Sequence, residues 1–232
     1  INGNFEVFDK TTGASLNTVT LGNFWTGTVG LSGIQNFIFD PRIIYDPDSG
    51  RWFAVSIDSS DTDGDGVRDA ANFIYVARTD TDDPTGDWDG VRFAADTVGG
   101  ADFHDYPTLA VDAAGVYVCT QDFPVAAGSN AESCYSIPKA DLLLAAPSVA
   151  RLSRFEATPA GLPTVDGSIQ PAVNRGLATG RTPLLGTSAA EEDRDTKESA
   201  DDDAQAQRDA MRVEPGVHRS RPGALHATGV ER

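Results

Sequence analysis

Four carboxylates fall within nine residues in the run Asp61-Thr-Asp63-Gly-Asp65-Gly66-Val67-Arg-Asp69. Held together without a counter-ion they repel one another, and a divalent cation removes that repulsion; hard oxygen donors of this kind suit calcium. In the D-x-D-x-D-G spacing Asp61, Asp63 and Asp65 take positions one, three and five. Gly66 allows the sharp turn, the Val67 carbonyl supplies position seven, and Asp69 supplies position nine through water. Position twelve, where a bidentate Glu completes a tight site, falls on Asn72. Without that carboxylate the expected affinity is on the order of 10⁻⁴–10⁻³ M, the regime in which calcium stabilises a fold and does not switch it. The plainer alternative is a solvated acidic hairpin loop.

Other residues with chemical potential are fewer. His104-Asp105-Tyr106 sets an imidazole beside a carboxylate, but neighbours on an extended segment point to opposite faces, so a capping or packing role is expected for His104. Asp80, Asp82, Asp83, Asp87 and Asp89 crowd one turn, where Pro84-Thr-Gly86 reads as turn chemistry and Trp88 as a packing residue; a second cation site, or carboxylates assisting a glycosidase, are the competing readings. Cys119 and Cys134 flank a polar loop between strand-like runs, where they would meet across a hairpin as one disulfide or stay as two half-buried thiols. No nucleophile elbow, zinc-protease, P-loop or dinucleotide signature is present, and no catalytic residue is nominated.

The elements that must position these groups are short strands. Runs rich in Val, Ile, Phe and Tyr at Phe5–Phe8, Arg42–Tyr45, Trp52–Ile57, Phe73–Ala77, Thr108–Val111, Val116–Thr120 and Cys134–Ile137 alternate with clusters of Asp, Gly, Ser and Thr. The class is all-β. Pro41-Arg-Ile-Ile-Tyr-Asp46, a turn to Gly50 and Arg-Trp-Phe-Ala-Val recur as Pro107-Thr-Leu-Ala-Val-Asp112, a turn to Gly115 and Val-Tyr-Val-Cys, and Gln170-Pro171-Ala-Val opens a third copy. A repeat of this length holds one small sheet, and sheets repeated about an axis make a β-propeller; a β-sandwich is the alternative. Each proline is expected at an extended approach to the first strand of its blade. About two full blades and two partial ones are expected, which leaves sheet faces that a closed ring would cover, and the chain is expected to be a piece of a longer protein.

Phe39-Asp-Pro-Arg-Ile-Ile-Tyr-Asp-Pro-Asp-Ser-Gly-Arg-Trp-Phe53, Asp83-Pro-Thr-Gly-Asp-Trp88 and Asp105-Tyr-Pro-Thr-Leu-Ala-Val-Asp-Ala-Ala-Gly-Val-Tyr117 together resemble secreted bacterial propellers of the broad sialidase-like group. Asp48-Ser-Gly50-Arg-Trp52 is similar to the Asp-box turn of such blades, one residue short between Gly and Trp and without the leading hydroxyl. The resemblance implies a fold and not an activity, and the arginine triad of sialidases has no counterpart in it. The 61–69 loop, flanked by strand-like residues, is similar to the extracellular calcium loops of dockerin and thrombospondin type-3 repeats.

Charge agrees with that setting. Residues 1–150 carry 22 acidic and 7 basic side chains, a surface that repels nucleic acid and anionic membranes, and no apolar run is long enough to span a bilayer. The 19 aromatic residues all lie at or before Phe155. Residues 176–232, rich in Ala, Asp, Glu, Gln and Arg, cannot offset their ordering entropy by burial and are expected to be disordered or a frayed helix, an unrelated or frame-shifted appendage to a partial propeller over 1–175. The functional expectation is a secreted or cell-surface, calcium-stabilised binding or adhesion module with a glycan or cell-surface ligand; a fragment of a propeller glycoside hydrolase is the alternative.

Overall fold

A computed structural model describes residues 3–34, 37–59, 72–96, 102–123, 131–156 and 168–173, and the backbone of 184–186. The chain divides into two units, Ile1–Ala190 and Glu191–Arg232, and every described residue belongs to the first. That unit is all-β and antiparallel. A two-stranded pair, β1 (Asn4–Phe8) and β2 (Ser15–Thr20), comes first. A short helical stretch follows, α1 (Leu21–Asn23) running into a wider turn at Phe24–Thr28.

Two four-stranded sheets follow. The first is β3 (Ile38–Asp46), β4 (Arg51–Asp58), β5 (Phe73–Thr79) and β6 (Trp88–Ala94); the second is β7 (Phe103–Val111), β8 (Gly115–Phe123), β9 (Ala131–Pro138) and β10 (Ser153–Glu156), with α2 (Lys139–Leu142) between its last two strands. In both, strands that follow in sequence are neighbours in space. A pair of three-residue strands, β11 (Ile169–Pro171) and β12 (Leu184–Gly186), ends the described chain.

The repeat is physical as well as textual. Pro41 and Pro107 do not stand before the first strands, as expected from sequence, but inside β3 and β7, where each sheet skips register between Phe39 and Arg42 and between Asp105 and Thr108. The residues preceding them, Asp40 and Tyr106, are the only described non-glycine residues with positive φ, at 49° and 50°. A proline offers no N–H to the ladder, so each strand bulges there and resumes pairing afterwards. The same reach along the chain relates the third copy: Phe39 pairs with Ile57, Asp105 with Gln121, and Ile169 with Gly186. By that register β11 and β12 correspond to the first and second strands of a repeat.

The core lies between the two complete sheets. Phe53, Val55, Ile57, Ile74, Val76 and Phe93 from the first meet Phe103, Leu109, Val111, Val116, Val118, Tyr135 and Ile137 from the second. The opposite face of the first sheet packs Ala54, Tyr75, Ala77 and Trp88 against Leu21, Phe24, Trp25 and Val29. Gly90 permits that approach, since a Cβ there would stand 2.7 Å from both the Val29 side chain and the Val76 carbonyl. The opposite face of the second sheet sets Cys119 and Cys134 against Ile169. Strands β2, β6 and β10 and the helical stretch had no clear alternation to betray them; Trp88, read from sequence as a packing residue, opens β6 and is buried against Phe24 at 5.1 Å between rings. Among the described residues no helix is long and apolar enough to cross a membrane.

Candidate functional site

The expected calcium ligands Asp61, Asp63, Asp65, Val67 and Asp69 lie outside the described residues, in the connection from β4 to β5. The frame that carries this connection is described. Asp58 ends β4 with one oxygen accepting from the Phe73 N–H and the other from the Tyr75 hydroxyl, both at 2.8 Å. Burial, and then the neighbouring Asp58 carboxylate, push the Tyr75 hydroxyl well above the ordinary phenol range, so it donates as a neutral group. The Ser59 N–H donates to the Phe37 carbonyl at 3.0 Å.

On the returning side Asn72 is fully buried. Its side-chain nitrogen donates to the His104 carbonyl at 2.8 Å and its side-chain oxygen accepts from the His104 N–H at 2.9 Å. Asn72, which the motif sets at position twelve, is therefore engaged with the backbone of the next sheet. Both ends of the acidic connection are thus anchored, one by Asp58 and the other by Asn72.

His104, next to that anchor, is buried in a polar network that joins β7, β8 and β9. Its Nδ1 stands 2.8 Å from Asp122 Oδ1, 2.9 Å from the Tyr135 hydroxyl and 3.1 Å from Thr120 Oγ1. The Tyr135 hydroxyl donates to the Ala95 carbonyl and the Thr120 hydroxyl to Asp122, so toward the ring both oxygens act as acceptors. The proton then sits on Nδ1 and is shared chiefly with Asp122, whose other oxygen accepts from Ser133 at 2.6 Å. A carboxylate behind an imidazole is a catalytic arrangement only where the ring meets a substrate, and His104 is 3% exposed. The packing role expected of His104 agrees with this burial; Asp105, the neighbour considered in sequence, is not its partner in the network.

The second acidic cluster does not converge. Asp80 and Asp89 both bind the buried Arg78 guanidinium, Asp89 at 3.1 Å. Asp83 caps its own turn, accepting from the Thr85 hydroxyl and N–H at 2.7 and 2.8 Å, bonds that hold its carboxyl below the usual carboxylate range. Among the described residues no group of three or more His, Cys, Asp or Glu is placed to hold a metal. Arg78 also donates to the Leu142 and Leu144 carbonyls, and Lys139 reaches Asp46 at 2.8 Å, so the segment after β9 is tied to the first sheet by two buried cations.

An open groove of about 510 Å³ separates β1 from β3 and β4 of the first sheet. Phe5, Phe8 and Leu16 form one wall, Ile43 and Trp52 the other, and Asp82 with Asp83 the rim. Trp52 is steadied by its indole N–H, which donates to the Asp82 carbonyl at 3.0 Å, and by the Tyr45 ring at 5.1 Å. Sequence reasoning missed the carboxylates Asp58 and Asp122 and this groove; the recurrence of Asp near the end of each second strand was the available signal. No family of known proteins, no curated protein and no solved structure matches the chain.

Proposed function

We propose that the chain is part of an extracellular β-propeller of the sialidase-like blade pattern, that its 61–69 connection takes calcium as a structural ion, and that it binds a glycan or cell-surface ligand without turning it over. The observation that carries this reading is the pair of identically ordered sheets sharing one bulge-proline device, with the acidic connection springing from anchors at Asp58 and Asn72. Clamped ends shorten the span over which the carboxylates must be ordered, which lowers the entropy that a weak ion has to overcome. The cross-strand Cys119–Cys134 disulfide favours an oxidising compartment.

The glycoside hydrolase alternative asks for two converging carboxyls, one of them raised in pKa so that it can act as an acid. Four described carboxylates, Asp9, Asp46, Asp83 and Asp141, shift the other way, downward. Calorimetric titration of calcium into the protein and into the doubly substituted Asp61→Ala, Asp65→Ala protein tests the ion. Saturable heat at millimolar calcium in the first and none in the second is expected. Equal heats, or none from either, would leave a solvated loop.

A further inference from the structure

The two cysteines stand at the place in their repeat where the first sheet builds its contact with the next. Val55 pairs with Val76 across β4 and β5, and Cys119 pairs with Cys134 across β8 and β9. The rung is the same in both sheets, because Val55 also pairs with Arg42 and Cys119 with Thr108, each the residue after its bulge proline. Val55 and Val76 turn into the core shared with the second sheet. Cys119 and Cys134, 0% and 3% exposed, turn instead to the third repeat, where they cluster with Ile169 of β11.

One rung further along, the two sheets differ. The first sets Phe39, Ile57 and Ile74 in a row across its strands, and the second sets Asp105, Gln121 and Glu132 in the matching row. On the face turned to the third repeat an apolar rung is therefore followed by a polar one, and it is on the bridge that Ile169 makes its apolar contact. Two side chains strap β11 there. The Thr108 hydroxyl donates to the Ile169 carbonyl at 2.8 Å, and the Gln170 side-chain nitrogen donates to the Leu109 carbonyl at 3.4 Å.

We propose that the Cys119–Cys134 bridge is a thiol-exchange site gated by β11, and that its redox state sets how firmly the third repeat docks. The co-reactant is a dithiol. One of its thiolates attacks the sulfur of either cysteine, the bridge breaks, a mixed disulfide forms and the other cysteine leaves as a thiolate. The second thiol of the reductant then displaces the first cysteine, so the dithiol departs as a disulfide and the protein keeps two thiols, with the electron pair and the two protons that the dithiol gave up. Attack needs approach to a sulfur, and Ile169 packs on the buried pair, so exchange proceeds when β11 lifts. Two thiols need more room than one bridge, because their sulfurs no longer share a bond. Beneath Ile169, itself 4% exposed, that added bulk overfills a packed site, and β11 reseats less firmly until the bridge is oxidised again.

Reduction of the full chain by dithiothreitol, without denaturant, tests the gate. Its rate is expected to follow the amide exchange of β11, which reports local lifting, and to exceed that of β4, which reports opening of the core. Thr108→Val removes one strap and leaves the Ile169 carbonyl without that donor, so reduction should run about tenfold faster. After reduction of the parent, the β11 amides should themselves exchange about tenfold faster. Cys119→Val with Cys134→Val copies the rung of the first sheet, and its β11 exchange should ignore the reductant. Reduction paced by β4 exchange, or indifferent to Thr108→Val, overturns the gate. Unchanged β11 exchange in the reduced parent, or an equal response from the valine protein, overturns the control of docking.

Discussion

Asp46 shows how one residue serves both turn and assembly. Its carboxylate accepts from the Ser49 hydroxyl at 2.6 Å and the Asp48 N–H at 3.2 Å, closing the β3–β4 turn, and from Lys139 Nζ at 2.8 Å across the boundary between sheets. Burial alone would raise its pKa, but Lys139 and Ser49 outweigh it and hold the carboxyl below the usual range. Both partners of the ion pair are buried, so removing the lysine strands a charge. Lys139→Ala is expected to cost about 3–5 kcal/mol at neutral pH, read from denaturant midpoints. Because the folded-state pKa of Asp46 is depressed, the stability it contributes is present above the ordinary carboxylate value of about 3.9 and is lost as pH falls through the folded value. The gap between parent and variant should therefore close in acid. Asp46 was legible in the sequence as a turn residue, since Asp before a Gly-ended turn bonds its own backbone; Lys139 was not, because its partner lies in another repeat.

At the scale of elements, the cysteines were read most directly, because VYVC and CYSI around a polar loop set a hairpin whose register brings Cys119 opposite Cys134. A bridge closing a loop of this size is worth about 3 kcal/mol in the chain-entropy account. Cys119→Ala with Cys134→Ala is expected to lose about that amount in urea unfolding, and the single variants at least as much, each leaving a thiol among apolar neighbours. Strands with an apolar face were legible and their ends were not. β3 and β7 run back past their prolines, since a bulge lets a strand absorb a residue that cannot donate and continue beyond it. β6, β10 and β12 were hidden because edge strands and three-residue strands carry too few alternating positions to signal a period.

Over the whole described unit, the largest core belongs to neither sheet alone. Phe53 is fully buried within it, and the guanidinium of Arg154 on β10 reaches the Ala94 and Ala95 carbonyls at the end of β6 and lies over the Phe93 and Tyr135 rings. The two sheets are therefore expected to unfold together. Phe53→Ala should cost about 3–5 kcal/mol, and hydrogen exchange should accelerate in β8 and β9 as much as in β4 and β5. Loss of protection confined to β3–β6 would show two independent units. The stacking of one sheet on the next was legible from the repeat length. The groove beside β1 was not, because Ile43, half-exposed on its wall, looks in sequence like any buried isoleucine.

The bulge prolines also decide where a sheet cannot grow. β3 and β7 are edge strands, and a straight edge strand rich in Ile, Tyr and Val invites edge-to-edge aggregation. At Pro41 and Pro107 the backbone bulges and is bent by the left-handed residue before it, so an incoming strand loses its register within a few residues. The two repeats thus carry a built-in guard against fibril growth along their first strands, placed at the same point in each.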